Sequence, residues 1–321
     1  MSAACNLYCD ESSEDVVSFD ADICNGYHES FDSLTDDDEN YISSIFNSEV
    51  DQMKGSESLA KYRKLPGLVT ARQEAIKWMF KVHAQCRFGP ETACLSVYYL
   101  DHFLFSHTIL PGKGWQWQLL PVTCLALAAK MEETNVPNLL DLQLIEPSRF
   151  LFKPKTVQRM ELLVMSSLKW RLRTITPFHF VHYFISKISS FNPQCNGFNS
   201  VFSRASDLIL STNRVVDFLD YPPSAIAAAV VLWVTNHTAD DQKLGCFHKK
   251  VNKDMVKKCY NLIRKNISQL LLHIEVGAVQ KTEHVSAKSK LGLVFWGSCD
   301  DLMTSKNDKK SRGDLATNKC T

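Results

Sequence analysis

The chain has 321 residues, 45% of them apolar and 10% aromatic, which leaves room for about two globular cores with tails. The formal net charge of +1 hides an asymmetry: residues 1–60 hold fifteen Asp/Glu against Lys54 alone, so the remaining chain is basic by +15. Eleven cysteines without a Cys-x-x-Cys pair argue against a zinc site or a disulfide framework, and the acidic first residues do not form a secretory signal, so a reducing intracellular compartment is expected.

Residues 1–60 are dominated by Asp, Glu, Ser and Asn and are expected to form a disordered acidic arm, because they cannot bury enough surface to offset ordering entropy. Within the arm, Leu7, Cys9 and Glu11 make the pattern Leu-x-Cys-x-Glu, trailed by Glu14 and Asp15. In an extended peptide these three side chains share one face, so two apolar groups and a carboxylate can fill adjacent pockets on a basic-rimmed groove. An accidental match in a tail is the alternative reading of so short a motif.

From Lys61 the pattern turns helical. Thr70 with Gln73 predicts a capped helix start, and Ile76, Met79, Phe80 and Val82 continue an amphipathic helix to about Arg87. Gly89-Pro90 breaks it, and Pro90 opens a helix with Ala93, Val97, Leu100, Phe103 and Leu104 on one side. Asp101 lies four residues after Val97, which aims its carboxylate into that apolar side; a buried carboxylate needs a cation, and Arg72 is the candidate. The run from Leu119 to Met131 is apolar except for Thr123 and Lys130. A helix apolar all round belongs at the centre of a bundle, and this one is too short to span a bilayer. Pro121 places its expected start near that residue. Helices over Leu139 to Ile145 and Lys155 to Leu168 complete five in the first half, the last with Val157, Met160, Val164 and Leu168 inward.

The second half repeats the plan with helices predicted over Phe178 to Ile188, Val201 to Val216, Ser224 to Val234 and Asn252 to Ile274. The segment Ser224 to Val234 is Ala-rich and apolar all round, a second central helix. The expected fold is therefore all-α: two tandem five-helix bundles over 61–174 and 175–276, the arm 1–60 before them and a polar tail 277–321 after. Lys306 to Arg312 is a basic cluster in that tail.

The blocks Arg72-Gln-Glu-Ala-Ile-Lys-Trp78, Tyr99-Leu-Asp101-His-Phe-Leu104, Leu127-Ala-Ala-Lys130-Met-Glu-Glu133 and Arg159-Met-Glu161-Leu-Leu163 resemble a cyclin box. Pro177-Phe-His-Phe180 and Tyr221-Pro-Pro-Ser224 resemble the C-terminal cyclin box, and with Leu-x-Cys-x-Glu the chain resembles the plant D-type branch of the family. The resemblance implies a non-catalytic subunit that activates a cyclin-dependent Ser/Thr kinase at cell-cycle entry (G1/S). It implies that Lys130 and Glu161 grip the kinase beside Met131, Met165 and Leu172, and that Arg72 and Asp101 pair inside the first box. It implies further that Leu7, Cys9 and Glu11 dock into a retinoblastoma-related pocket protein, with action in the nucleus and cytoplasm. The strip that recruits substrates in many cyclins holds Ala71, Glu74 and Ala75 here, with only Trp78 bulky.

The rival reading is a cyclin-fold transcription or nucleic-acid scaffold without a kinase partner, favoured by the basic body. It lacks clustered Lys/Arg with interleaved aromatics, so no nucleic-acid or membrane partner is expected. An enzyme is disfavoured because there is no Gly-rich phosphate loop, metal-ligand spacing or nucleophile elbow; no cofactor, metal or catalytic residue is expected. Glu132-Glu133 reads as a partner surface or simple exposure.

Overall fold

The computed structural model describes residues 36–50, 52, 59–60, 63–107, 114–146, 149–189 and 197–268, and all regular structure among them is helical. The first bundle comprises α2 (Pro66–Cys86), α3 (Pro90–Ser106), α4 (Gln116–Glu132), α5 (Leu139–Ile145) and α6 (Pro154–Ser167). The second comprises α7 (Phe178–Ser189), α8 (Phe198–Thr212), α9 (Pro223–Val234), α10 (Asp241–Gly245) and α11 (residues 253–268), with a 3-10 turn at Val216–Asp220. A helix precedes both, α1 (Asp36–Val50).

The central helix α4 touches α2, α3, α5 and α6, and Leu120, Cys124, Leu125 and Ala128 are wholly shielded from solvent. Each such leucine contributes about 2 kcal/mol by burial. From Leu119 to Ala129 its sequence carries no polar stripe because every residue there is buried. Helix α9 plays the same part in the second bundle, packed between α7 and α8. The buried thiols behave as small hydrophobes: burial pushes Cys94 up to about 12 and drives Cys124 and Cys259 upward as well.

Three helix starts differ from expectation. Helix α2 begins at Pro66, which has the fixed φ and missing N–H that suit a first helical residue, and Thr70 falls in its second turn. Helix α4 begins at Gln116 and contains Pro121, so the hydrogen bond to Trp117 is given up and dense packing on every side holds the helix instead. Helix α8 begins at Phe198 and ends at Thr212, short of Val216, which belongs to the 3-10 turn.

Residues 36–50, expected to be part of a disordered arm, form α1. Ile42, Ile45 and Phe46 sit at helical spacing and are buried in the second core. Glu49 acts as a cap supplied from outside α9: its carboxylate accepts the Ser224 N–H at 2.6 Å and the Ser224 hydroxyl at 2.7 Å. At the other end of α1, Glu39 accepts from Lys187 Nζ at 2.6 Å; one turn before Glu49, Phe46 stacks on His248. Glu39 and Glu49 thus find partners far along the chain, which local composition does not reveal. Residues 1–35, with Leu7, Cys9 and Glu11, and residues 269–321, with Lys306 to Arg312, lie outside the described residues.

The bundles interlock. Cys94 of α3 packs in the second core and Val216 in the first. Gln52 accepts the Ile175 N–H at 2.9 Å and the Thr174 hydroxyl through one oxygen, tying the segment after α1 to the junction.

Candidate functional site

Arg72 and Asp101 meet inside the first bundle. Arg72 Nε donates to Asp101 Oδ1 at 2.6 Å and its Nη2 to Oδ2 at 2.8 Å, a bidentate pair whose arginine is completely buried. A third donor, Nη1, points to the Arg214 carbonyl at 3.5 Å, so the pair also reaches the chain just after α8. This is an internal strut between α2, α3 and the second bundle rather than a surface for partners.

Lys130 and Glu161 form a second pair, at the rim. Lys130 closes the last turn of α4, and Glu161 lies on α6, which crosses beside it. Lys130 Nζ stands 2.7 Å from Oε1 and 2.8 Å from Oε2. The lysine side chain is 44% exposed and the glutamate 7%, so the pair offers its ammonium to solvent and keeps its carboxylate inside. The buried carboxylate anchors the ammonium. An ammonium has three N–H donors and two serve Glu161, which leaves one to offer a carbonyl on an approaching protein.

Met131, Met165 and Leu172 are partly buried against the first core, presenting part of their surface around the rim. Leu172 is reached through a turn in which Lys169 (φ 51°) and Trp170 (φ 63°) both take left-handed backbone without being glycine. Such backbone costs about 1–2 kcal/mol per residue. The Tyr99 hydroxyl donates to the Leu172 carbonyl at 2.6 Å and anchors the chain where it leaves the turn.

Sequence reasoning missed several apolar residues here. Leu162 and Leu163 of α6 and Leu144 of the adjoining α5 are more than half exposed, as is Trp170. A signal existed: Leu162 and Leu163 lie off the Val157–Met160–Val164 stripe that faces the core. Large apolar side chains left this exposed on α5, on α6 and in the turn after α6 are the composition of a protein interface.

Glu133 is not a partner surface. Its Oε1 accepts the Gly89 N–H at 2.7 Å and the Thr92 hydroxyl, serving the N-terminus of α3, while Glu132 remains exposed. Trp78 is half-buried, and its indole N–H donates to the Glu146 carbonyl at 3.0 Å, which holds it against the body. Among the described residues no cluster of His, Cys, Asp and Glu is arranged to hold a metal ion, and no helix is long and apolar enough to cross a membrane.

Comparison with known proteins matches this arrangement to one family. The profile "Cyclin, N-terminal domain" covers residues 41–173 and "Cyclin, C-terminal domain" covers 175–290. The chain belongs to the cyclin family, whose members are non-catalytic regulatory subunits of protein kinases. Its relatives include plant D-type cyclins. It is 42% identical over 217 residues to Cyclin-D4-1 of Arabidopsis thaliana, covering 66% of this chain and 70% of that protein. It is 46% identical over 193 residues to Cyclin-D4-1 of Oryza sativa subsp. japonica, covering 60% of this chain and 51% of that protein. The chain therefore spans between about half and seven tenths of these relatives' lengths. In fold it is similar to a viral cyclin from herpesvirus saimiri, with a TM-score of 0.52 at 14% identity, over 70% of this chain and 97% of that one.

Proposed function

We propose that this chain activates a cyclin-dependent Ser/Thr kinase at the G1/S transition, acting in the nucleus and cytoplasm, and steers that kinase to a retinoblastoma-related protein. The observation that carries the reading is the Lys130–Glu161 pair, an exposed ammonium held by a buried carboxylate. A kinase needs its Lys–Glu ion pair and activation segment aligned before phosphoryl transfer. A rigid surface that binds only the aligned form shifts the population toward it, by as much as its affinity for the two forms differs. The outward N–H of Lys130 suits a carbonyl at the end of a kinase helix or loop.

The Leu7-x-Cys9-x-Glu11 element supports the second half of the proposal. Tethering raises the effective concentration of substrate without altering the kinase's chemistry. Co-purification of the full chain with a panel of cyclin-dependent kinases, assayed on a retinoblastoma-related substrate, tests both halves. Lys130→Ala with Glu161→Ala should lose kinase binding and activation while remaining folded. Cys9→Gly with Glu11→Ala should lose pocket-protein binding and keep the kinase. Kinase activation that persists in the first variant contradicts the first half; loss of both partners in the second contradicts the modular arm.

A further inference from the structure

Helix α11 turns Val256, Cys259 and Ile263 into the second core. Its opposite side holds Lys253, Lys257, Lys258, Arg264 and Lys265, since residues three, four and seven apart share a helix face. Lys249 and Lys250 extend that basic side ahead of the helix, and Asp254 is the one acid along residues 249–268. Lys257 is paired with Asp241 at 2.7 Å, and Lys250 donates to Asn47 Oδ1 at 2.7 Å. Lys249, Lys253, Lys258, Arg264 and Lys265 are exposed and have no ion pair among the described residues. This face begins where the N-terminal segment joins the body. The Glu39 carboxylate stands 4.0 Å from Nε2 of His248, the residue before Lys249, and Lys250 Nζ reaches the Ser43 carbonyl at 3.1 Å. Residues 1–35, immediately ahead of α1, hold eight Asp/Glu, from Asp10 to Asp32, and no Lys or Arg.

We propose that the acidic stretch Asp10–Asp32 docks along this basic side of α11 as a clasp within one chain. A single exposed ion pair contributes little, so the occupant has to bring many charges and be held close. The covalent link through α1 does the holding. A tethered segment meets the face at about millimolar effective concentration, far above that of a second copy in dilute solution. Length permits the contact: Lys253 to Lys265 spans roughly 18 Å of helix. An extended chain covers that distance in about six residues, so the stretch has length to spare. Like charges four residues apart, such as Lys253 and Lys257, repel, and an anionic chain relieves the repulsion. Nucleic acid suits the face less well, because Tyr260, the aromatic residue of α11, packs against the core and is not free to stack a base. Glu11 of the Leu7-x-Cys9-x-Glu11 element lies in the held stretch, so a partner taking that element must displace lysines. That consequence alone rests on the pocket-protein reading, and the test does not use it.

The test follows the NMR amide shifts of residues 10–32 in the full-length chain, with the synthetic peptide 1–35 as the undocked reference. In about 0.1 M salt these amides should lie away from the peptide's positions. In about 1 M salt, where the Debye length falls from roughly 10 to 3 Å, they should move onto them. Lys253→Glu with Lys258→Glu and Lys265→Glu, all exposed, should bring them onto the peptide's positions already at the lower salt. Adding Asp10→Lys, Glu14→Lys, Asp20→Lys and Asp22→Lys to that variant should restore a salt-sensitive displacement from the matching peptide. Wild-type amides that coincide with the peptide's at the lower salt overturn the proposal. So does a displacement that persists in the three-lysine variant, or one that vanishes on dilution, which assigns the contact to a second copy. A DNA duplex that binds through the same lysines and leaves the arm amides unmoved assigns the face to nucleic acid and equally overturns it. Should the three-lysine variant fail to fold, Lys253→Gln with Lys265→Gln should shrink the displacement at the lower salt, and an unchanged one overturns the proposal.

Discussion

The Arg72–Asp101 strut and the Lys130–Glu161 pair are chemically alike and do different work because of where they lie. Arg72 is fully buried and bidentate, so removing it strands Asp101 in an apolar setting. Arg72→Ala should destabilise the chain by about 3–5 kcal/mol, and Arg72→Met combined with Asp101→Leu should recover most of that loss, both read by denaturant unfolding. The strut was legible in the sequence, since a carboxylate four residues after Val97 on an apolar helix side demands a cation. The closure of Lys130 on Glu161 was not: thirty-one positions separate them, and only the crossing of α6 over the end of α4 brings them together. The left-handed turn at Lys169 was equally invisible, because neither it nor Trp170 is a residue that favours such backbone. Lys169→Gly should relieve the strain and raise stability by about 0.5–1 kcal/mol after the entropic cost of glycine, measured by the same unfolding experiment.

Among the elements, α1 departs most from a reading of composition. Three apolar residues among many acids look like an arm; placed on the second bundle they become the cover of its core. Phe46→Ala should cost about 3–5 kcal/mol of α1 docking, seen as loss of amide protection over residues 36–50 while α4 stays protected. Glu49 gives the docking a pH dependence. Burial holds its carboxyl above the ordinary 4.5, more than the Ser224 bonds lower it. The folded chain therefore takes up this proton at higher pH than the unfolded chain does. Relative to Glu49→Gln, wild-type stability should grow as pH falls through the raised value toward 4.5 and stay level below it. A difference that shrinks over that interval contradicts the assignment. The two central helices were legible for the opposite reason to α1. Apolar residues on every side admit no other place in a bundle, and even Pro121 inside α4 is tolerated there.

The whole molecule is two bundles interlocked by Cys94, Val216 and Gln52, with a charged rim on the first. The all-helical plan followed from periodicity and the doubled central helix, while the leucines left uncovered on α5 and α6 emerged only from the structure. Rigidity is essential to activation: a surface that yields to its partner has no differential affinity with which to shift a kinase population. The most direct measurement is the dissociation constant of the purified chain from its cyclin-dependent kinase, for wild type and Lys130→Ala, with unfolding midpoints compared in parallel. An ammonium bonded across a desolvated interface predicts a weakening of roughly 30-fold, about 2 kcal/mol, with the fold retained. An unchanged dissociation constant would show that the Lys130–Glu161 pair is a rim ion pair and nothing more.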